Sequence, residues 1–162
     1  MKYRKWELIR MRIKKHIFFD MDGTIADLYQ VNGWLELLDN EDTLPYEVAK
    51  PMIDLHDTSL LLKQLQAKGY KIGVISWLSK NGTKQYNKKV TQAKRKWLKD
   101  NIDFKFNSIK IVKYGTPKHK VARAKGIIFD DDVKVRNSWN GTAINPHTTD
   151  INAYLLMELK GL

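Results

Sequence analysis

Short apolar runs that stop abruptly at a carboxylate or hydroxyl constrain this chain more than any other feature. His16-Ile17-Phe18-Phe19 runs into Asp20, Lys71 to Ile75 into Ser76, and Ile127 to Phe129 into Asp130-Asp131-Asp132. A fourth run, Ile109 to Val112, leads to Tyr114-Gly115-Thr116-Pro117. Runs of this length bounded by turn residues fit strands buried on both faces of a parallel sheet, the first beginning at Lys15. Helical patterns separate them. Leu60, Leu61 and Leu65 belong to a helix closed by Gly69, and Tyr86, Val90, Ala93 and Trp97 fall on one helical face. Pro117 suits the first turn of a third helix, stopped by Gly126. After Asn140-Gly141, Thr142 to Ile144 reads as a last short strand, and Ile151, Tyr154, Leu155 and Leu159 stripe a final helix. Alternation of this kind predicts an α/β fold: a Rossmann-like parallel sheet, helices on both faces, and functional groups at the carboxyl ends of the strands.

A chain of 162 residues with 43% hydrophobic residues supports one domain with a packed core. The division expected is an N-terminal extension over residues 1–10 and one folded α/β domain over 11–162. Between the first strand and the Leu60 helix, an insertion at about 26–58 exceeds the usual connection and predicts a small helical cap. It carries Trp34, Leu35, Leu37, Leu38, Tyr46 and Met52. Cysteine is absent, which excludes disulfides, thiolate metal sites and cysteine nucleophiles. No apolar run approaches a membrane span, so no membrane partner is expected and the cytoplasm is the expected location.

The formal net charge is +11. Residues 23 to 62 hold eight acids against Lys50, whereas residues 80 to 125 hold fifteen Lys or Arg against Asp100 and Asp103. Excess positive charge favours phosphorylated partners, although the lysines between 84 and 99 read first as a solvated helix face.

The densest chemistry lies in Asp20-Met21-Asp22-Gly23-Thr24. Two acids two apart, set directly after a buried strand, are costly unless a cation or donors compensate. Such a strand end can hold a hard cation through oxygen ligands and present one carboxylate as a nucleophile toward phosphorus. Gly23 allows a sharp turn, so its amide and neighbouring ones, with the Thr24 hydroxyl beyond, can form a phosphate nest. His16, His56, His119 and His147 are scattered without metal-ligand spacing and read as non-ligands. Asp132 is suited to cap the segment that follows it, with Arg136 and Asn137 near the acid pair. Trp34, Tyr46 and Trp77 are aromatics that either stack on a nucleobase or pack into the core.

The run of DMDGT after a strand resembles the first signature of the haloacid dehalogenase (HAD) superfamily. Ser76 after VI is similar to its second signature, Lys118 or Lys120 in TPKHK to its lysine, and IIFDD at Asp130 and Asp131 to its final acid pair. The order is also the family's. Within the superfamily the chain looks most like 5'(3')-deoxyribonucleotidases, in part through Ala93-Lys94-Arg95-Lys96-Trp97-Leu98 after the second signature. The resemblance implies a HAD fold and a Mg²⁺-dependent phosphatase that works through an aspartyl-phosphate. Asp20 would attack phosphorus, while Asp22 would protonate the leaving oxygen and then activate water. Ser76 and Lys120, or Lys118 in its place, would hold the phosphoryl oxygens together with Gly23 and Thr24. The metal would sit on Asp20, the Asp22 carbonyl and Asp131, with Asp130 beside it.

The expected substrate is a small phosphorylated molecule, preferably a nucleotide. The alternatives are a nucleic-acid end phosphatase, favoured by the basic 80–125 stretch and the small cap, and a non-catalytic basic module that binds nucleic acid.

Overall fold

The computed structural model describes Arg4 and residues 16–162. Apart from Arg4, the extension assigned to residues 1–10 lies outside the described residues, as does the strand start at Lys15. The elements are strand β1 (His16–Phe19), a 3-10 turn (Leu28–Gln30), helices α1 (Trp34–Asp39), α2 (Leu44–Val48) and α3 (Leu55–Ala67), strand β2 (Lys71–Trp77), helix α4 (Lys84–Asn101) and strand β3 (Ser108–Val112). Helix α5 (Lys118–Ala122), strand β4 (Ile127–Phe129), helix α6 (Val133–Ser138), strand β5 (Thr142–Ile144) and helix α7 (Ile151–Lys160) follow. The sheet has the order β3-β2-β1-β4-β5, and its paired strands all run parallel.

Alternation along each strand builds two cores. Ile17 and Phe19, Ile72 and Val74, and Ile127 and Phe129 point to one face, where they meet Leu62 and Leu65 of α3, Trp97 and Leu98 of α4, and Ile151 and Leu155 of α7. Phe18, Ile75 and Ile128 point to the other and meet Ala122 of α5, Val135 of α6 and Trp139. The expected layering, helices on both faces of a parallel sheet, is therefore present.

Several element limits differ from the sequence reading. β2 continues through Ser76 to Trp77, because β3 supplies pairing partners at Ile111 and Val112. β3 begins at Ser108. Helix α3 begins at Leu55, where Asp54 accepts a hydrogen bond from the Asp57 amide as its N-cap, so the insertion closes at residue 54. Helix α5 ends at Ala122, well before Gly126, because Arg123 adopts φ +51°.

The insertion expected to form a cap carries the 3-10 turn and the short helices α1 and α2. Leu28, Leu38 and Tyr46 pack against Tyr86, Val90 and Ala93 on the first half of α4. Polar anchors accompany that contact. Tyr86 donates its hydroxyl to the Asp42 carbonyl (2.7 Å), Thr83 donates its amide and hydroxyl to Glu41, and buried Trp97 donates its indole N–H to the Ala49 carbonyl (2.7 Å). None of the helices among the described residues is long and apolar enough to cross a membrane.

Candidate active site

Strands β1 and β4 are adjacent and in register, with Phe19 opposite Phe129, so Asp20 and Asp130 leave the sheet side by side. The Asp20 amide donates to the Phe129 carbonyl (2.9 Å), and the Asp130 amide to the Ile144 carbonyl (3.2 Å). Ser76 lies one strand over, fully buried near the end of β2. The chain turns directly after Asp20: the amides of Thr24, Ile25 and Ala26 all donate to the Met21 carbonyl, and Gly23 takes φ +76°. A Cβ on Gly23 would sit 2.4 Å from Asp131 Oδ2 and 2.7 Å from Tyr29 Cε2. Only glycine satisfies both the dihedral and the space, which explains its place between Asp22 and Thr24.

Two buried lysines organise the carboxylates. Lys118, the first residue of α5, donates to Asp20 Oδ1 (2.6 Å) and to Asp130 Oδ2 (2.7 Å), and its ammonium stands 5.0 Å from the centre of the Trp77 ring. Lys94, from the middle of α4, uses its three donors on Asp22 Oδ2 (2.6 Å), Ser76 Oγ (2.9 Å) and the Trp77 carbonyl (2.6 Å). It also lies over the Tyr46 ring, 4.8 Å from its centre.

Geometry separates the two lysines that sequence left open. Lys118 is buried among the carboxylates, whereas Lys120 is exposed on the outer side of the same helix. The expectation that Lys120 takes the inner role is thus corrected in favour of Lys118. The solvated-face reading of the 84–99 lysines is corrected at Lys94, which is 1% exposed. A signal for it existed: 94 is four after Val90 and three before Trp97, a core position of the α4 stripe. Tyr46, weighed as a stacking aromatic, is buried beneath Lys94.

Asp20, Asp130 and Asp131 place carboxylate oxygens within 4.8 Å of one another and form a cluster able to hold a metal ion. The Asp22 side chain stands outside that trio, engaged by Lys94. Both oxygens of Asp130 already accept hydrogen bonds, from Lys118 and from the Asp132 amide, so Asp20 and Asp131 are the freer ligands. Thr24 Oγ1 reaches Asp131 Oδ1 at 3.5 Å. Arg136 braces the acid pair by donating to the Asp130 and Asp131 carbonyls (2.9 and 2.7 Å), and Asp132 caps α6 as expected. His147 donates Nε2–H to the Gly23 carbonyl (2.7 Å), a contact the scattered histidines gave no reason to expect.

The electrostatics follow from this packing. Four carboxylates face two ammonium groups at one strand-end cluster. Burial, and then the Asp20 charge, pushes Asp130 up to about 7 and Asp131 up to about 6. Burial also raises Asp22, with Lys94 opposing it. A buried excess of negative charge must be met by protons or by a cation, and an all-oxygen donor set suits a hard divalent ion. A separate cavity of about 680 Å³, between α3, α4 and residues 102–106, contains none of these acids.

No protein-family profile matches the chain. No curated protein matches it either. Among solved structures it is similar to a hydrolase from Streptococcus pneumoniae TIGR4, with a TM-score of 0.51 at 11% identity, over 93% of this chain and 100% of that one. At that identity the likeness is one of fold, and it agrees with the α/β, Rossmann-like architecture described above.

Proposed function

We propose that this chain is a Mg²⁺-dependent phosphomonoester hydrolase of the HAD type, acting on a nucleotide phosphomonoester through an aspartyl-phosphate on Asp20. One observation carries the reading. Folding gathers Asp20, Asp130 and Asp131 within reach of one ion, with buried Lys118 bridging Asp20 to Asp130 and buried Lys94 bridging Asp22 to Ser76. The resemblance of DMDGT and its partner signatures to the HAD pattern supports it, as does the fold shared with a hydrolase.

Asp20, the Asp22 carbonyl and Asp131 would hold the ion. When bound, Mg²⁺ would neutralise the charge that gathers on the phosphoryl oxygens. Lys118 engages Asp20 Oδ1, which leaves Oδ2 to attack. A bond forms from that oxygen to phosphorus as the ester P–O bond breaks, and Asp22 gives its proton to the departing oxygen. Asp22 then takes a proton from water, the hydroxyl attacks phosphorus, inorganic phosphate leaves and the Asp20 carboxylate is restored. Lys118 and the Ser76 hydroxyl stabilise the transferring group, because fixed donors gain most where charge develops, whereas the Gly23 and Thr24 amides expected to form a phosphate nest already donate to the Ala26 and Met21 carbonyls.

The test is turnover of p-nitrophenyl phosphate with and without Mg²⁺. We expect strict dependence on the ion and a loss of roughly a thousandfold or more in Asp20→Asn. Metal-independent or Asp20-independent turnover would sink the mechanism. Silence of the folded protein across a panel of phosphate esters would favour the binding module.

A further inference from the structure

Aromatic rings stand beside the buried acids. Trp77 lies beside the acids through Lys118, and Tyr114 stacks against it with ring centres 5.0 Å apart and planes tilted by 54°. Lys80 stands over the outer ring, 5.7 Å from its centre. Asp20, Lys118, Trp77, Tyr114 and Lys80 therefore form a chain of contacts from the buried acids to exposed residues. On the cap side, Tyr29 and Trp34 form a second ring pair at 5.0 Å. Tyr29 and Tyr114 are each 45% exposed, so both rings are accessible to a partner.

Charge on the β3 side points the same way. Lys80, Lys84, Lys113 and Lys120 are exposed in the loops and first turns that follow β2 and β3. Asp100 and Asp103 sit at the far end of α4 and are engaged by Lys96 and Lys63. Glu41 of the cap reaches Thr83, which bounds the basic strip on the cap side. A mononucleotide would occupy the rings and offer the lysines nothing, whereas a strand supplies a further phosphate at each step.

Building on the hydrolase reading, we propose that the ester received here is the phosphorylated end of a single-stranded nucleic acid. Its terminal base lies against the Trp77–Tyr114 pair, and the next phosphodiester lies beside Lys80 and Lys113. Aromatic platforms joined to a basic groove are the usual means of holding single strands, because every base has a π-face and every step a charge.

The experiment compares kcat/KM for 5'-phosphorylated and 3'-phosphorylated DNA hexanucleotides, dTMP and glycerol phosphate, which also identifies the preferred end. We expect one hexanucleotide to exceed dTMP by about tenfold or more, and Tyr114→Ala to cut its advantage over glycerol phosphate by about tenfold. In Lys80→Ala/Lys113→Ala, the log–log salt slope should shrink by about 1.4, two single-strand phosphate contacts. dTMP turned over as well as either hexanucleotide, with no salt dependence, would overturn the proposal. Anisotropy of a labelled, phosphorylated hexanucleotide on Asp20→Asn separates the two readings. Binding that needs both lysines, in a protein whose wild type hydrolyses nothing, would end the hydrolase reading and keep this one. Hydrolysis of small esters without hexanucleotide binding would do the reverse.

Discussion

Lysine 94 shows how much of this site depends on a single side chain. Its ammonium is buried, spends each donor within the cluster, and ties the Asp22 carboxylate to the Ser76 hydroxyl. In Lys94→Met the hydrocarbon volume is kept and the charge is lost. Asp22 then loses its partner, and the Trp77 carbonyl loses a donor. Removing one member of a buried pair costs about 3 to 5 kcal/mol, but the Asp22 side chain is 18% exposed and can take up a proton, so about 2 kcal/mol is expected. Urea unfolding of the variant measures it, and an unchanged midpoint would show that the pair contributes nothing net. Lys118 and Lys120 make the complementary point. They are the same residue type, two positions apart, yet two helical steps turn by about 200°, so one faces the acids and the other faces solvent.

The elements carry a different lesson. β4 and the apolar stripes of α4 and α7 were readable because buried strands are apolar throughout and helices repeat every 3.6 residues. Limits set by partners were not readable. Ser76 and Trp77 are in a strand because Ile111 and Val112 pair with them, and Arg123 ends α5 through its own left-handed conformation. The cap, too, is legible as apolar material but not as a docked unit, since its anchors are single hydrogen bonds to α4. The strongest of these is the Trp97 indole on the Ala49 carbonyl, where both residues are buried. Trp97→Phe should therefore leave that carbonyl unpaired and destabilise the fold by about 1 to 3 kcal/mol. Hydrogen exchange should also quicken over residues 44–54. Loss of stability with cap protection unchanged would mean that the indole holds the core alone.

At the scale of the whole molecule, charge separates a basic edge from an acidic centre, and the centre links stability to pH. The folded-state values of Asp130 and Asp131 are raised, to about 7 and about 6, above the ordinary carboxylate value of 3.8. The protonated forms are thus the ones that folding favours. Their contribution is complete below about pH 4 and lost as pH rises through the folded values. In EDTA the melting temperature should fall by about 5 °C or more between pH 4 and pH 8. Saturating Mg²⁺ should restore most of it at pH 8 and little at pH 4, since the cation replaces the protons. A metal-free melting temperature that is level across this window would remove the electrostatic case for the cluster.

The order of residues along the chain was enough to determine a parallel sheet and the strand ends from which chemistry must come. A strand covered on both faces tolerates only apolar side chains, so its carboxyl end is the first place where an acid or hydroxyl can stand. Tertiary structure alone decided which lysine meets the acids, that Lys94 joins Asp22 to Ser76, and that Trp77, Tyr114 and Lys80 stack one on the next. Those facts depend on rotation about a helix axis and on loops from different strands converging at one edge. Rotation leaves at most a place in a helical stripe, as at Lys94, and convergence leaves no local mark, because the energy that selects these contacts comes from residues far apart in the chain.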